Sequence, residues 1–500
     1  MFILRCVIKS NKRTPAGIDY THPAFINADG TSRIYSIWDQ SIPYSTKISD
    51  AGRKPELMIY GTEYTREEIN QALQAENPWN IVPSRDEVGH GTFLAGVACG
   101  KANDANEFTG IAPQAEIVVV KCKEAKENLK EYYRISTQEP CYMENDIMLG
   151  IRYLAGIAYE RQMPMVICLG MGTNMGSHYQ GGALGEVLQS YGDLRGFIVV
   201  AAGGNEANTS RHYKSEILEG RENVEVEIRV GDPNSGFTME LWCDAPGLVS
   251  VALISPAGEY SGKTYARQGE RERIEFLLEN TVVDIEYLLV SFESGDECIR
   301  IRFRQPAEGV WRLRVFNETD IPTQFHIWMP MKGFVSDSTY FLRADPEVTL
   351  CEPSNNRQII ATTYYDSSDR SVVVDSSRGY NRKEEVRPDI AAPGVNVFGP
   401  LPRLGNVFPS DEQERIDTAR YGYRSGSSAA AAVTAGTAIL LAEWGLVREN
   451  DLNMDSVGVQ KYLVRGADRS GRSFPNREWG YGTLDLYGVF ESLRQRGEEV

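Results

Sequence analysis

Apolar residues follow two different rhythms along this chain, and the change of rhythm divides it. Between about residues 114 and 205, short apolar runs alternate with stretches of helical period. EIVVVKC (116–122), PMVICLG (164–170) and FIVVAAGGN (197–205) have the continuous apolar character of strands buried on both faces of a parallel sheet. NDIMLGIRYLAGIAYERQ (145–162) puts Ile147, Ile151, Leu154, Ala155 and Ala158 on one helical face, with Asn145 or Asp146 as its cap. ALGEVLQSY (183–191) predicts a second helix. Strand–helix–strand–helix–strand predicts a parallel sheet covered on both faces, joined by right-handed crossovers.

After about residue 210 the period falls to two. VEVEIRV (224–230), SVALISP (250–256), CIRIRFRQP (298–306), GVWRLRVFN (309–317) and QFHIWMP (324–330) alternate apolar with polar and are separated by Gly, Pro, Asn and Asp. That pattern predicts an antiparallel β-sandwich. From about 336 the mixed texture returns, with a helix over 429–443 built of Ala, Val, Ile and Leu that reads as fully buried. Earlier, TREEINQALQ (65–74) is a short helix opened by a Thr65–Glu68 capping box. The expected organisation is one discontinuous α/β domain, 1–209 with 336–500, interrupted by a β-sandwich over 210–335.

Composition narrows the function classes. The 500 residues carry a net charge of −17. That balance argues against nucleic acid and anionic membrane as partners, which need clustered Lys and Arg. No apolar run reaches the ~18 residues of a membrane span. The opening MFILRCVIKSNKR puts its short apolar run before its basic residues, the reverse of a secretory signal. The eight cysteines are scattered, without Cys-x-x-Cys spacing, and there are only five histidines. A Cys/His zinc site is not expected, and the thiols read as free in a reducing, cytoplasmic setting.

Three stretches carry candidate chemistry. In DEVGHGTFLAGVACG (86–100), His90 lies between two glycines ahead of a small-residue helix, where substrate can approach an imidazole suited to general-base work. In VVAAGGNEAN (199–208), Asn205 leaves the end of a buried strand, and its amide is placed to stabilise an oxyanion. In YRSGSSAAAAVTAG (423–436), Ser428 opens an Ala-rich helix whose dipole and free N–H groups favour developing negative charge. Each has a structural alternative: a capping histidine, an asparagine in a left-handed turn, an N-cap serine. GMGTNMG (170–176) has its third glycine one place late for a dinucleotide loop, and Ser428 lacks the glycine of a Gly-x-Ser-x-Gly elbow. His22 and His178 read as conformational loop residues.

Taken together and in this order, the three stretches resemble the subtilisin-like serine protease family. GHGTFLAG (89–96) fits the family's His motif throughout, and residues 426–436 fit its Ser motif with Ser427 for Thr and Ala432 for Pro. FTGIAPQAEIVVVK (108–121), VRPDIAAPGVNV (386–397) and WGYGTLDL (479–486) resemble the flanking segments, so that the resemblance spans about 17–209 and 336–490. It is nearest to the clostridial, spore-germination-type subtilases that carry a jelly-roll insertion. The resemblance implies a three-layer αβα fold with a mostly parallel sheet plus an inserted antiparallel, jelly-roll-like sandwich, and a chain that is cytoplasmic or spore-associated. It implies Ser428 as nucleophile and His90 as general base, with the Asn205 side chain and the Ser428 N–H as oxyanion hole. Peptide or protein substrate would lie extended along Cys168, Leu169 and Gly170. No cofactor or metal is required.

One member is missing. Aligning Gly17-Ile18 with the Gly-Ile of the family's Asp-Thr/Ser-Gly-Ile places Pro15 where the triad carboxylate belongs and Ala16 on the next position. Asp19, two residues past the turn, is expected to point to the loop side. Two readings follow: an endopeptidase by descent whose chain is incomplete or aberrantly started, and a pseudoprotease kept as a binding or signalling scaffold.

Overall fold

The protein is described from a computed structural model that places residues 3–5, 17–45, 51–135, 139–231, 236–403 and 419–497. The apolar runs form strands because their alternate residues face two different helix layers. Val118, Val120, Ile167, Leu169, Val199 and Ala201 pack against the helices Glu144–Arg161 and Gly182–Gly192. Their neighbours Ile117, Val119, Val166, Cys168, Ile198 and Val200 pack on the other face, against His90–Cys99, Ser427–Ala442 and Ser456–Gly466. Burial on both faces is why these strands show no alternation in sequence.

The strands fall in two adjoining sheets. One runs Ile3–Arg5, Ile117–Lys121, Ile34–Asp39, Thr62–Thr65, parallel except for its last pair. The other runs Ser371–Val372, Ile360–Asp366, Phe197–Ala202, Met165–Leu169, with Ile390–Pro393 also parallel to Ile360–Asp366. Ile3–Arg5 packs beside Met165–Leu169 and joins them. This is the expected three-layer arrangement, a mostly parallel sheet between two helix layers.

The period-two region forms a five-stranded and a six-stranded antiparallel sheet around their own core. Ile299, Ile301 and Phe303 point inward, while the alternate arginines Arg300 and Arg304 meet Glu240 and Asp284. The sandwich takes edge strands from His212–Lys214 and Tyr340–Phe341, the latter lying past residue 335. Arg382 and Lys383 of the α/β body grip Asp244 and Asp296 of the sandwich, so the two parts meet through an ionic clasp whose Arg382–Asp296 pair is buried.

Four expectations are corrected. The long helix starts at Glu144 with Met143 as its cap residue and no side-chain cap bond. Asp146 lies in its first turn and is taken by Tyr60 and by Lys123 at 3.0 Å. The Ala-rich helix runs Ser427–Ala442 and continues into a wide turn, Glu443–Val447. By length and composition Ser427–Val447 meets the test for a membrane span that no run was expected to meet, and its most apolar window is 61% buried inside the fold. Its apolarity is that of a core helix. Finally, Cys122 is disulfide-bonded, so the eight cysteines are not all free thiols. The Thr65–Glu68 capping box is present in both directions.

Candidate active site

The His helix and the Ser helix pack directly on each other because both are made of small residues. A Cβ at Gly436 would come within 2.5 Å of Ile111 and 3.0 Å of the Ala98 carbonyl, so the backbones approach as closely as glycine permits. This brings the two N-termini to one place. His90 Cε1 and Ser428 Cβ both lie 3.5 Å from the point where a Cβ on Gly170 would stand. Both residues are half-buried and reachable from solvent.

His90 is the first residue of its helix, after Gly89 in the left-handed region at φ 78°. Asp86 fixes this entry. Its Oδ1 accepts from the N–H groups of Val88 and Gly89, and its Oδ2 from the N–H and hydroxyl of Thr92, at 2.7–3.1 Å. Four bonds to one buried carboxylate hold the turn that aims the imidazole. Sequence reasoning passed over Asp86; the available signal was an acid set just ahead of a helix start.

Ser428 is the second residue of its helix, after Gly426 at φ 139°. Its hydroxyl donates to the Gly170 carbonyl at 3.1 Å, so a swing about χ1 separates this position from one facing His90. Asn205 leaves the strand Phe197–Ala202 through Gly203 and Gly204. Its Oδ1 accepts from the Ser427 N–H at 2.9 Å, which turns the Nδ2 hydrogens outward. Ser427, standing where the motif has Thr, accepts from the Gly204 N–H at 3.1 Å and stitches the two loops together.

Cys168 and Leu169 are buried in the strand Met165–Leu169, paired with Val200 and Ala201, and Gly170 follows at its carboxyl end. Gly170, Gly172, Asn205 and Ser428 border a pocket whose far wall is Met331 and Lys332, at the exit of the sandwich. Glu206 binds that wall. Its Oε2 accepts from Asn174 Nδ2 and the Lys332 N–H, both at 3.2 Å, and from Thr209 at 3.3 Å. Burial pushes its carboxyl above the usual carboxylate range. Glu206 was also not singled out from sequence.

Pro15 lies outside the described residues, so the position of the missing carboxylate is known only from the sequence. Asp19 is engaged elsewhere: Oδ1 accepts from the N–H and hydroxyl of Thr21, and Oδ2 from the Arg403 N–H at 2.9 Å. Both of its oxygens serve the turn and the loop at 403. His22 and His178 are fully buried and bonded to backbone groups on both ring nitrogens. Among the described residues no group of His, Cys, Asp and Glu is arranged to hold a metal ion.

His90 and Ser428 thus stand at two adjoining helix N-termini, with the Asn205 amide beside them, at the carboxyl edge of an α/β sheet. The chain belongs to the subtilase family, whose model matches residues 16–255 and 338–482. The CspB protease of Clostridium perfringens is similar, at 26% identity and a TM-score of 0.82, covering 99% of this chain and 93% of that one. The prenylagaramide maturation protease PagA is also matched, at 13% identity and a TM-score of 0.42, over 98% and 92% of the two chains. A search of curated proteins finds no match. The chain is thus a subtilase, a peptidase by class, and is similar in fold to a Csp protease.

Proposed function

We propose that this chain is a serine-type endopeptidase that works through an acyl-enzyme on Ser428, with hydrolysis impaired by the absence of a carboxylate at position 15. Residues 1–209 and 336–500 supply the peptidase domain and 210–335 the insertion, which also borrows the edge strand Tyr340–Phe341. The observation that carries this reading is the convergence of His90 and Ser428 on Gly170, beside an Asn205 amide whose oxygen is already engaged.

In this mechanism a peptide carbonyl enters over Gly170. His90 takes the Ser428 proton as Oγ attacks, then returns it to the leaving amine. The tetrahedral oxygen is met by the Asn205 Nδ2–H and the Ser428 N–H at the helix terminus. Proline at position 15 supplies no carboxylate to orient His90 or to stabilise the imidazolium formed on it. In subtilisin, loss of the Asp alone lowers kcat by roughly 3 × 10⁴, about 6 kcal/mol of transition-state stabilisation. Proline at position 15 is the observation that favours the second reading, a scaffold that binds peptide without turning it over.

The test is labelling of the purified chain with a fluorophosphonate, beside Ser428→Ala and Pro15→Asp. Slow labelling that Ser428→Ala abolishes and Pro15→Asp accelerates supports the impaired endopeptidase. Absence of labelling in both wild type and Pro15→Asp supports the scaffold.

A further inference from the structure

At the amino ends of the parallel strands, opposite the site, lies a groove with an unusual sign of charge. It occupies about 560 Å³ between the helix Ser456–Gly466 and the segment 385–389. Gly170 and Asn205 follow the carboxyl ends of their strands, whereas Asp389 directly precedes the strand Ile390–Pro393. The groove and the site therefore stand at opposite edges of one sheet.

The helix has two faces of different character. Val459 and Leu463 are buried in the core. Val457, Gln460, Lys461, Val464 and Arg465 fall at i, i+3, i+4, i+7 and i+8, and all line the groove. They form a second stripe of half-buried valines alternating with cations.

The carboxylates in the groove are already committed. Glu385 binds Arg357 and the Asn381 amide. Asp389 is buried against Arg387, the Ala361 N–H at 2.7 Å and the Gln460 amide at 2.7 Å. Lys461 and Arg465 have no carboxylate partner in any ion pair among the described residues, and Arg465 is held only by the Ser492 carbonyl. A chain of net charge −17 thus presents here a concave surface whose Lys461 and Arg465 charges meet no carboxylate among the described residues, over an aliphatic floor.

We propose that this groove is an exosite for an acidic segment of a protein partner, one that interleaves Asp or Glu with Val or Leu. Its carboxylates would pair with Lys461 and Arg465, and its aliphatic side chains would pack on Val386, Val457 and Val464. Charge complementarity selects such a segment over a second copy's basic surface, and spacing along a single helix face selects a peptide.

The experiment is fluorescence anisotropy of a fluorescein-labelled peptide alternating Glu with Leu and Val, titrated with the full chain. Saturable binding is expected, weakened at least about tenfold in the Lys461→Glu, Arg465→Glu double variant and less in Lys461→Ala. Val464→Asp is expected to weaken it too, and the same peptide with Lys for Glu is expected not to bind. Thermal unfolding of each variant reports whether it remains folded, and Lys461→Ala keeps the test decisive if the double variant does not. Absence of saturable binding overturns the proposal, as does equal affinity in wild type and Lys461→Ala. Loss on charge reversal with no effect of Val464→Asp overturns the groove in favour of a diffuse charged patch. Tighter binding to duplex DNA or phosphatidylserine vesicles than to the peptide overturns the choice of partner.

Discussion

Asn205 Oδ1 accepts a 2.9 Å hydrogen bond from the N–H of Ser427, the residue immediately before the proposed nucleophile. The bond does two things at once. It fixes which end of the amide faces the cleft, and it ties the loop after one strand to the start of the Ser helix. A leucine or alanine here would leave the Ser427 N–H without its acceptor as well as removing the oxyanion donor. Asn205→Ala is therefore expected to slow the reaction of Ser428 by about 10²–10³, the usual cost of an oxyanion donor. The pseudo-first-order rate of fluorophosphonate labelling measures it, best in the Pro15→Asp background where the rate is higher. Reversible binding of a peptide product should change little, because the donor acts on the transition state.

Asp86 supports the other half of the site from beneath. Removing its carboxylate leaves four donors at the start of the His helix without an acceptor, two of them on Thr92. Asp86→Ala should cost about 2 kcal/mol, the upper end for a helix-capping side chain. Denaturant titration gives the stability change. Asp86→Asn keeps acceptor capacity on one oxygen and should recover part of it. A variant that unfolds at the same denaturant concentration as wild type would remove Asp86 from its positioning role.

How much of this was legible in the chain differs by kind of residue. His90, Asn205 and Ser428 could be read because glycines and small residues around them are local and leave a motif. The parallel strands could be read because burial on both faces imposes continuous apolar runs. Asp146 misled the cap assignment because Tyr60 and Lys123, 86 and 23 residues away, recruit its carboxylate. Glu206 had no local signature, since its partners Asn174 and Lys332 come from separate segments and the second lies at the far end of the insertion. The membrane-like apolarity of Ser427–Val447 was hidden in sequence by its many alanines, which read as packing residues.

Three of the five histidines collect around one tryptophan at the seam between sandwich and body, and this sets a pH dependence. His178 stacks on Trp328 at 3.9 Å, and His212 at 4.7 Å. The His212 and His326 rings are joined through Nε2 and Nδ1 at 2.9 Å. Burial pushes His178 and His212 down to about 3, and His326 well below its ordinary value. The carbonyls of Leu350, Asn174 and Asp345 oppose this without overcoming it. A lowered histidine favours the neutral form when folded. Its stabilisation is complete above about 6.5 and is lost as pH falls toward 3, by about 2 kcal/mol each for His178 and His212 at pH 5.

Two buried carboxyls run the other way. Burial raises Glu297 and Glu352 to about 8, so their stabilisation is complete below the ordinary carboxylate range and is lost as pH rises toward 8. The stability profile should therefore fall on both sides. Chemical unfolding across pH 5–8 should show that His212→Gln flattens the acid limb and Glu352→Gln flattens the alkaline limb. Parallel profiles for wild type and His212→Gln would exclude the histidine cluster as the source.

The His helix and the Ser helix are held close together at Gly436. Gly436 faces Ile111 and the Ala98 carbonyl, and a methyl group there would stand 2.5 Å from a β-branched carbon and 3.0 Å from a backbone oxygen. Neither neighbour is the mobile end of a long side chain, so relief must come from the helices moving apart. Gly436→Ala gains about 1 kcal/mol of helix propensity but meets an overpacking cost of about 1–3 kcal/mol. The net change in unfolding free energy should be small, while the separation of His90 from Ser428 should grow. Labelling of Ser428 should accordingly fall by more than the stability change implies. A Gly436→Ala chain that labels at the wild-type rate would show that close packing at this point is not what aligns the pair.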